Sequence, residues 1–232
     1  MVTKRKVTIK NPDQFLKNAS TEHIKTVIQA MELERSKTAQ GKFLSFVKKV
    51  WPVFIEGTHH RIIAEKLEGI ASGKIKRLIV NMPPRHTKSE FASYLFPSWI
   101  IGQNPEAKII QTTHTAELSV NFGRKMKNLI DSEEYKQIFP KVSIAADSKA
   151  SGRWHTNRGG EYFAAGVGGA ITGRGADLLI IDDPHSEQDA LSATGMESVY
   201  EWYTSGPRQR LQPGGAIVLV MTRWSVKDLT GA

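Results

Sequence analysis

The chain has 232 residues, of which 40% are hydrophobic and 24% charged, a composition typical of a globular protein and not of a disordered one. It contains no cysteine, which excludes disulfides and thiolate metal sites. A net charge of +9 favours a polyanionic partner such as nucleic acid.

The first part of the chain predicts helices without strands. Residues 1–18 are polar and basic, and hydrophobic spacing then predicts helices over residues 21–37, 43–50 and 59–71. We therefore expect residues 1–72 to form a basic arm and a helical lid or subdomain, and residues 73–232 to form the core of the protein. No signal peptide or membrane span is recognisable, so we expect a cytoplasmic protein that makes no membrane contact.

From residue 73 onward, strands alternate with helices. The predicted strands cover residues 78–82, 108–113, 178–181 and 217–221, and the predicted helices cover residues 88–101, 116–130 and 194–206. This alternation predicts an α/β fold with a mainly parallel sheet and helices on both faces. Residues 158–175 contain seven glycines and predict a hairpin and a mobile loop.

The connection between the first strand and its helix has the layout of a phosphate-binding loop. It reads Pro84-Arg85-His86-Thr87-Lys88-Ser89, in which loop amides would surround a phosphate. Lys88 would supply a positive charge and the Ser89 hydroxyl would bind Mg²⁺. The usual spacing G-x-x-x-x-G-K-[ST] places glycines where this chain has Met82 and Thr87. Thr87 is the more serious departure, because a β-branched residue resists the positive φ that glycine tolerates.

Two carboxylates follow the apolar strand 178–181. On a buried parallel strand, Asp182 and Asp183 would lie at the carboxyl edge of the sheet, which is also the edge of the loop. We expect Asp182 to bind Mg²⁺ and Asp183 to orient and deprotonate an attacking water. Thr222 follows the last strand, where a polar side chain could report hydrolysis to moving parts of the protein.

Three segments resemble the ATPase domain of the large terminase subunit of tailed bacteriophages, a motor that packages DNA into procapsids. They are residues 79–89 (IVNMPPRHTKS), 173–185 (GRGADLLIIDDPH) and 220–224 (VMTRW). The similarity runs from about Trp51 to residue 232. Terminases commonly carry Pro-Pro-Arg before the lysine, but a glycine is usual at position 87 and a glutamate is frequent at position 183.

The resemblance implies a P-loop NTPase fold of the additional-strand class, with ATP and Mg²⁺ as cofactors. It implies ATP hydrolysis coupled to translocation of double-stranded DNA by a ring of subunits, with the portal protein and the small terminase subunit as partners in the infected cell. Arg85 could stabilise transition-state charge within its own chain, and Arg174 is the better candidate for a finger that acts on a neighbouring subunit. The nuclease domain of such proteins is not expected in a chain of this length, so no DNA cleavage is expected.

Other interpretations stay open. Trp51 could lie under the adenine base, although packing in the core is the favoured explanation. A helicase-like or DNA-repair ATPase would use the same motifs, and a basic nucleic-acid-binding module with a vestigial loop would explain Thr87. Lys-Arg patches at residues 4–6, 48–49, 74–77, 124–127 and 208–210 are candidate DNA surfaces.

Overall fold

The computed structural model describes residues 20–232, so the predicted basic arm over residues 1–18 lies outside the described residues. The described chain is a mixed α/β fold built on one six-stranded sheet. Five of its strands are parallel to one another, and one edge strand is antiparallel to its neighbour. The predicted mainly parallel sheet is therefore confirmed.

Within residues 20–232, three helices precede the sheet: α1 (Thr21–Gly41), α2 (Phe43–Val50) and α3 (Thr58–Ala71). The Ser20 hydroxyl caps α1 by accepting the His23 N–H. The helix continues four residues beyond the predicted end at residue 37, because Lys37 to Gln40 contain no residue that breaks a helix.

The apolar residues of α1 are poor guides to its buried side. Only Ser36 and Ala39 are buried on this helix, while Ile28 and Met31 are 50% and 42% exposed. On α3, the apolar positions 62, 63, 67 and 70 suggest one inward stripe, but Ile62 is 55% exposed. Its neighbour Ile63 is buried, since consecutive helical positions differ by about 100° in direction.

The remaining elements alternate as predicted, with some shifts in their bounds. The strands are β1 (Arg77–Asn81), β2 (Lys108–Thr113), β3 (Arg153–His155), β4 (Glu161–Gly166), β5 (Ala176–Asp182) and β6 (Leu211–Met221). The helices are α4 (Phe96–Gln103), α5 (Ala116–Asp131), α6 (Glu133–Ile138), α7 (Glu187–Ala190) and α8 (Ala193–Ser205), with a 3₁₀ turn at Pro207–Arg210.

The predicted helix over residues 88–101 is not a uniform α-helix. It begins at Lys88 and contains a π-helical segment, Glu90–Leu95, before α4 completes it. A π-turn accommodates an extra residue per turn and is frequent at functional sites, and no hydrophobic periodicity announces it.

The strands lie in the order β1-β6-β5-β2-β4-β3. In the sequence, β2 comes between β1, which precedes the loop, and β5, which ends at Asp182. In space β6 occupies that position, paired with β1 on one side and with β5 on the other. The carboxyl end of β6 therefore lies between the loop and the two aspartates.

Apolar side chains pack on both faces of the sheet, as predicted. One core joins the sheet to α2, α3, α4 and α5, and it includes Phe43, Leu67, Phe91 and Ile180. The second core lies under α8 and includes Val199 and Leu179. The helices before the sheet thus share a continuous core with it.

The hairpin predicted within residues 158–175 lies further toward the N-terminus: its first strand, β3, precedes the segment and pairs antiparallel with β4 inside it. Two of its glycines are explained by local geometry, because Gly159 has φ +87° and a Cβ on Gly160 would lie 2.4 Å from the Pro105 carbonyl oxygen. Gly168 and Gly173 also have positive φ in the loop that follows β4.

Candidate functional site

The carboxyl ends of four parallel strands bring the predicted site residues together at one edge of the sheet. The loop follows β1, Thr222 follows β6, Asp183 follows β5 and His114 follows β2. This edge is where open α/β sheets bind ligands. We refer to it as the carboxyl edge.

The phosphate-loop segment begins where proline ends β1. Pro83 and Pro84 have no backbone N–H, so they cannot extend the ladder with β6. Two residues of the loop, Arg85 and Thr87, have φ of +62°. Such a conformation strains a residue with a Cβ by about 1–2 kcal/mol, and persists where the surroundings enforce it.

Lys88 and Asp183 form a close ion pair. Their Nζ and Oδ2 atoms are 2.6 Å apart, and the lysine side chain is only 8% exposed. The ammonium group is therefore held at the carboxyl edge, beside the loop amides. Asp183 itself has φ +42°, a backbone angle that aspartate tolerates better than most residues.

Ser89 and Asp182 meet directly. The Ser89 hydroxyl donates to Asp182 Oδ1 at 3.0 Å, although 93 residues separate them. Asp182 is 2% exposed, and this burial raises its pKa to about 6. Two nearby hydroxyls, of Ser93 and Ser89, and the Lys88 ammonium oppose the rise in pKa, while the Asp183 charge adds to it. Ser93 lies close to the carboxylate but not in hydrogen-bonding geometry.

The pair Ser89–Asp182 fits a magnesium ion. Asp182 Oδ2 is buried and has no hydrogen-bond partner among residues 20–232, which is an unfavourable state for a carboxylate oxygen without a ligand. One carboxylate, one hydroxyl and substrate phosphates form a usual Mg²⁺ environment in proteins. Within the described chain no group of three or more histidine, cysteine, aspartate or glutamate side chains could hold a metal, so an all-protein cage is not found.

Asp183 also connects the loop to the end of β6. Its Oδ1 accepts the Thr222 N–H at 2.7 Å, while its Oδ2 binds Lys88. The Thr222 hydroxyl in turn donates to the Met82 carbonyl at 3.3 Å. One carboxylate thus holds together the two segments that the sequence analysis assigned to phosphate binding and to coupling.

A cavity of about 550 Å³ opens beside these residues, and two histidines that line it were not predicted as site residues. His114 Nδ1 is buried without a partner in the described chain. His185 is 3% exposed, and its Nε2 accepts the Leu229 N–H at 2.9 Å. Burial lowers the pKa of His185. The only sequence signal for either histidine is its place just after a strand.

A third unpredicted residue, Asp228, organises the segment after β6. Its Oδ2 accepts the backbone N–H groups of Trp224 and Ser225 and pairs with Arg223 at 2.8 Å. Its Oδ1 accepts two more backbone N–H groups, from residues 230 and 231. These contacts hold the pKa of Asp228 below its usual value, chiefly through Arg223, although burial opposes them. The side chain therefore fixes the turn next to Thr222.

Arg174 lies at the opposite edge of the sheet from Lys88. It precedes the first residue of β5, and the seven residues of that strand separate it from Asp183 by roughly 20 Å. Its guanidinium binds Glu161 at 2.7 Å and stacks on Phe163 at 3.8 Å. Arg174 therefore cannot reach the site of its own chain. We refer to the four residues Arg153, Glu161, Phe163 and Arg174 as the amino-edge cluster.

Trp51, predicted as a contact for the base, is partly buried. Its ring packs on Phe54 with centroids 5.3 Å apart, and Phe54 contacts Phe91 beneath the loop. Core packing accounts for these contacts, and no described contact joins Trp51 to the loop. Its assignment to base binding stays a prediction.

Several of the candidate DNA-binding lysines and arginines are engaged within the chain. Lys127 donates to the Ser148 carbonyl, Lys76 to the Gly214 carbonyl and Arg77 to the Gly215 carbonyl. Contact with DNA by these patches stays a prediction. Among residues 20–232, no helix has both the length and the apolar character needed to cross a bilayer.

Comparison with known proteins gives a similarity to solved structures but none to known sequences. No protein-family profile matches the chain, and no curated protein sequence matches it. Among solved structures, the chain is similar to the crystal structure of the HK97 bacteriophage large terminase, with a TM-score of 0.46 and 13% sequence identity. The similarity covers 79% of this chain and 37% of that one, so the chain spans little more than a third of that protein's length.

Proposed function

We propose that this chain is an ATP-hydrolysing motor domain that drives double-stranded DNA into a viral procapsid. One observation carries the ATPase part of the proposal. Lys88, Ser89, Asp182 and Asp183 come from two distant segments and meet at one edge of the sheet. The packaging part rests on the resemblance of residues 79–89, 173–185 and 220–224 to terminases.

In this proposal the loop and Lys88 bind the triphosphate, and Ser89 with Asp182 would hold Mg²⁺ on it. The metal supplies charge neutralisation between the phosphates when bound. Asp183 orients the attacking water and accepts its proton. The carboxylate can act in this way once Lys88 has turned to phosphate, because the ion pair otherwise occupies Oδ2.

Thr222 would couple the reaction to movement. Its N–H donates to Asp183 Oδ1, so a movement of that carboxylate would displace the end of β6. For charge on the transferred phosphoryl group, Arg85 is the candidate within the chain. Arg174 could act only on a neighbouring subunit, in a ring where its edge of the sheet faces the neighbour's carboxyl edge, and only after release from Glu161.

The ATPase part is tested by turnover of Mg-ATP by the purified protein and its Lys88→Ala variant. We expect Lys88→Ala to reduce turnover at least a hundredfold, because it removes the charge that meets the transferred phosphate. Lys136→Ala is the matched control, since that exposed lysine on α6 pairs only weakly with Glu133. Equal turnover in the wild type and Lys88→Ala would leave the non-hydrolysing nucleic-acid-binding module.

The packaging part is tested by the stimulus of turnover. Stimulation by portal-bearing procapsids with double-stranded DNA supports the motor, whereas stimulation by single-stranded DNA alone supports a helicase-like or DNA-repair ATPase. A ring formed on the portal, seen by electron microscopy, would support the proposed assembly.

A further inference from the structure

His60 connects the helices before the sheet to the phosphate loop. It lies in the first turn of α3 and is 5% exposed. The Gly57 N–H donates to His60 Nδ1 at 2.8 Å, so the proton of the neutral ring is on Nε2. Nε2 lies 2.6 Å from the Thr87 hydroxyl oxygen, and that hydroxyl donates to the His86 carbonyl at 2.6 Å. The direction of every hydrogen bond in this chain is therefore determined.

The end of this chain is a strained residue. Thr87 is β-branched and has φ +62°, a conformation that a glycine at the same place would adopt without strain. Its hydroxyl is held at both ends, by the His86 carbonyl within the loop and by His60, and the second contact fixes the side chain relative to α3. Such restraint is what keeps a strained backbone in place.

We propose that His60 is a positioning residue of the phosphate loop, which holds Thr87 in the left-handed conformation and so keeps the loop amides in place for phosphate. The inference rests on the proposed nucleotide site for its consequence, but the restraint of Thr87 by His60 can be measured without nucleotide. In this proposal α3 contributes directly to the site. A glycine at position 87 would adopt this backbone conformation without strain, whereas the threonine is held in it by the contact from His60.

The surroundings favour the neutral ring that this role requires. The Phe54 and Phe91 rings lie 4.7 Å and 5.0 Å from the His60 ring, and His59 lies 3.8 Å away. Burial, and then the charge of His59, lower the pKa of His60, while Glu56 opposes them. His86, on the loop, is 6.2 Å from the His59 ring and is the remaining titratable side chain recorded in this ring cluster. A protonated His60 would carry an N–H on Nδ1, facing the Gly57 N–H. Acid should therefore weaken the hydrogen bonds that join Gly57, His60 and Thr87.

Two substitutions of His60 test its two hydrogen bonds separately. His60→Asn can keep an acceptor for the Gly57 N–H but is too short to reach Thr87. His60→Gln can place an amide N–H near the position of Nε2 and so keep the Thr87 contact. Each is combined with Thr87→Gly, whose backbone needs no restraint, to complete a double-mutant cycle.

The readouts are the dissociation constant for Mg-ATP and the melting temperature without nucleotide. In the wild-type background we expect His60→Asn to weaken nucleotide binding about tenfold and lower the melting temperature by about 2–4 °C, with His60→Gln closer to wild type. In the Thr87→Gly background His60→Asn should change binding less than about twofold, and its effect on melting should fall by about half or more.

Equal effects of His60→Asn in both backgrounds would overturn the inference, since His60 would then act by packing alone. If His60→Asn does not fold, the cycle is run with His60→Leu, which also lacks a hydrogen bond to Thr87 and keeps most of the buried volume, so coupling with Thr87→Gly must still appear in the melting temperature. Absence of Mg-ATP binding by the wild type would refute the proposed function. The melting-temperature cycle would still judge the role of His60 by itself.

Discussion

The two edges of the sheet each carry a cluster of charged residues, and the clusters differ in how well their polar groups are satisfied. In the amino-edge cluster, Glu161 binds two arginines and one of them stacks on an aromatic ring. At the carboxyl edge, Asp182 retains a buried oxygen without a partner among the described residues, and Asp183 has positive φ. The first cluster is complete in its own chain, whereas the second has the unmet polarity and strain that accompany ligand sites.

This difference matters because both edges supplied predicted site residues. From the sequence motifs alone, Arg174 and Lys88 are equally good candidates for site residues. Both cations pair with a carboxylate, Lys88 with Asp183 and Arg174 with Glu161. Their surroundings separate them, because the pair at the carboxyl edge lies beside the buried Asp182 oxygen that has no partner among the described residues.

The largest expected effect comes from exchanging one carboxylate at each edge for its amide. Asp182→Asn should weaken Mg²⁺-dependent nucleotide binding by about a hundredfold or more, because it would remove the charge of the proposed metal ligand. It should also raise the melting temperature slightly, since a buried charge without a full set of partners is replaced by a neutral group.

Glu161→Gln is the control for this exchange. It should lower the melting temperature, by leaving two arginines without a charged partner, and leave nucleotide affinity unchanged. Titration of a fluorescent ATP analogue with Mg²⁺ and thermal melting measure both properties. Loss of nucleotide binding in Glu161→Gln, or its retention in Asp182→Asn, would remove the distinction between the two edges.

A smaller effect is expected from Asp228, which serves the carboxyl edge without belonging to the proposed chemistry. Asp228→Asn should reduce stability by about 1–3 kcal/mol, because the amide cannot accept all the hydrogen bonds that the buried carboxylate accepts. Chemical denaturation measures the loss. Asp147→Asn is a matched control, since Asp147 lies in an exposed turn.

The pH dependence of this loss follows from the lowered pKa of Asp228. Because the pKa is lower in the folded state than its usual value of 3.8, the carboxylate adds stability above pH 3.8. That stability is lost as the pH falls through the folded-state pKa. The difference between wild type and Asp228→Asn should therefore shrink in acid, and a constant difference would contradict the assigned role of the charge.

The smallest effect is expected from Arg174→Ala in the isolated chain. Loss of the ion pair and the ring contact should reduce stability by less than about 1 kcal/mol and leave nucleotide affinity unchanged. If Arg174 acts on a neighbouring subunit, Arg174→Ala should reduce ATP turnover in portal-bound assemblies. Undiminished turnover in those assemblies would end the assignment of Arg174 as a finger.

The sequence predicted those features that depend on local pattern. Strand β2 and helix α2 have the predicted bounds, and the order of strands and helices from residue 77 is as expected, since apolar periodicity and proline or glycine breaks specify them. The meeting of Ser89 with Asp182 was also foreseen, because two parallel strands end at the same edge.

Other features depend on contacts that no local pattern contains. The π-helical turn at Glu90–Leu95 and the pairing of β6 with both β1 and β5 arise from packing and strand order. His60, His185 and Asp228 were missed for the same reason, since each acts through a backbone or side-chain group remote in sequence or hidden in a turn. Thr87 was recognised as a departure, but its restraint by a histidine 27 residues earlier could not be inferred from spacing.

The position of β1 at the border of the sheet has a mechanical consequence. Among the described strands it is joined to β6 alone, through five residue pairs, so the strand before the proposed phosphate loop and the strand before Thr222 form one ribbon. Tension applied to either end of this ribbon is carried by the same ladder to the other. We therefore expect a displacement of the loop after β1 to move β6 as well.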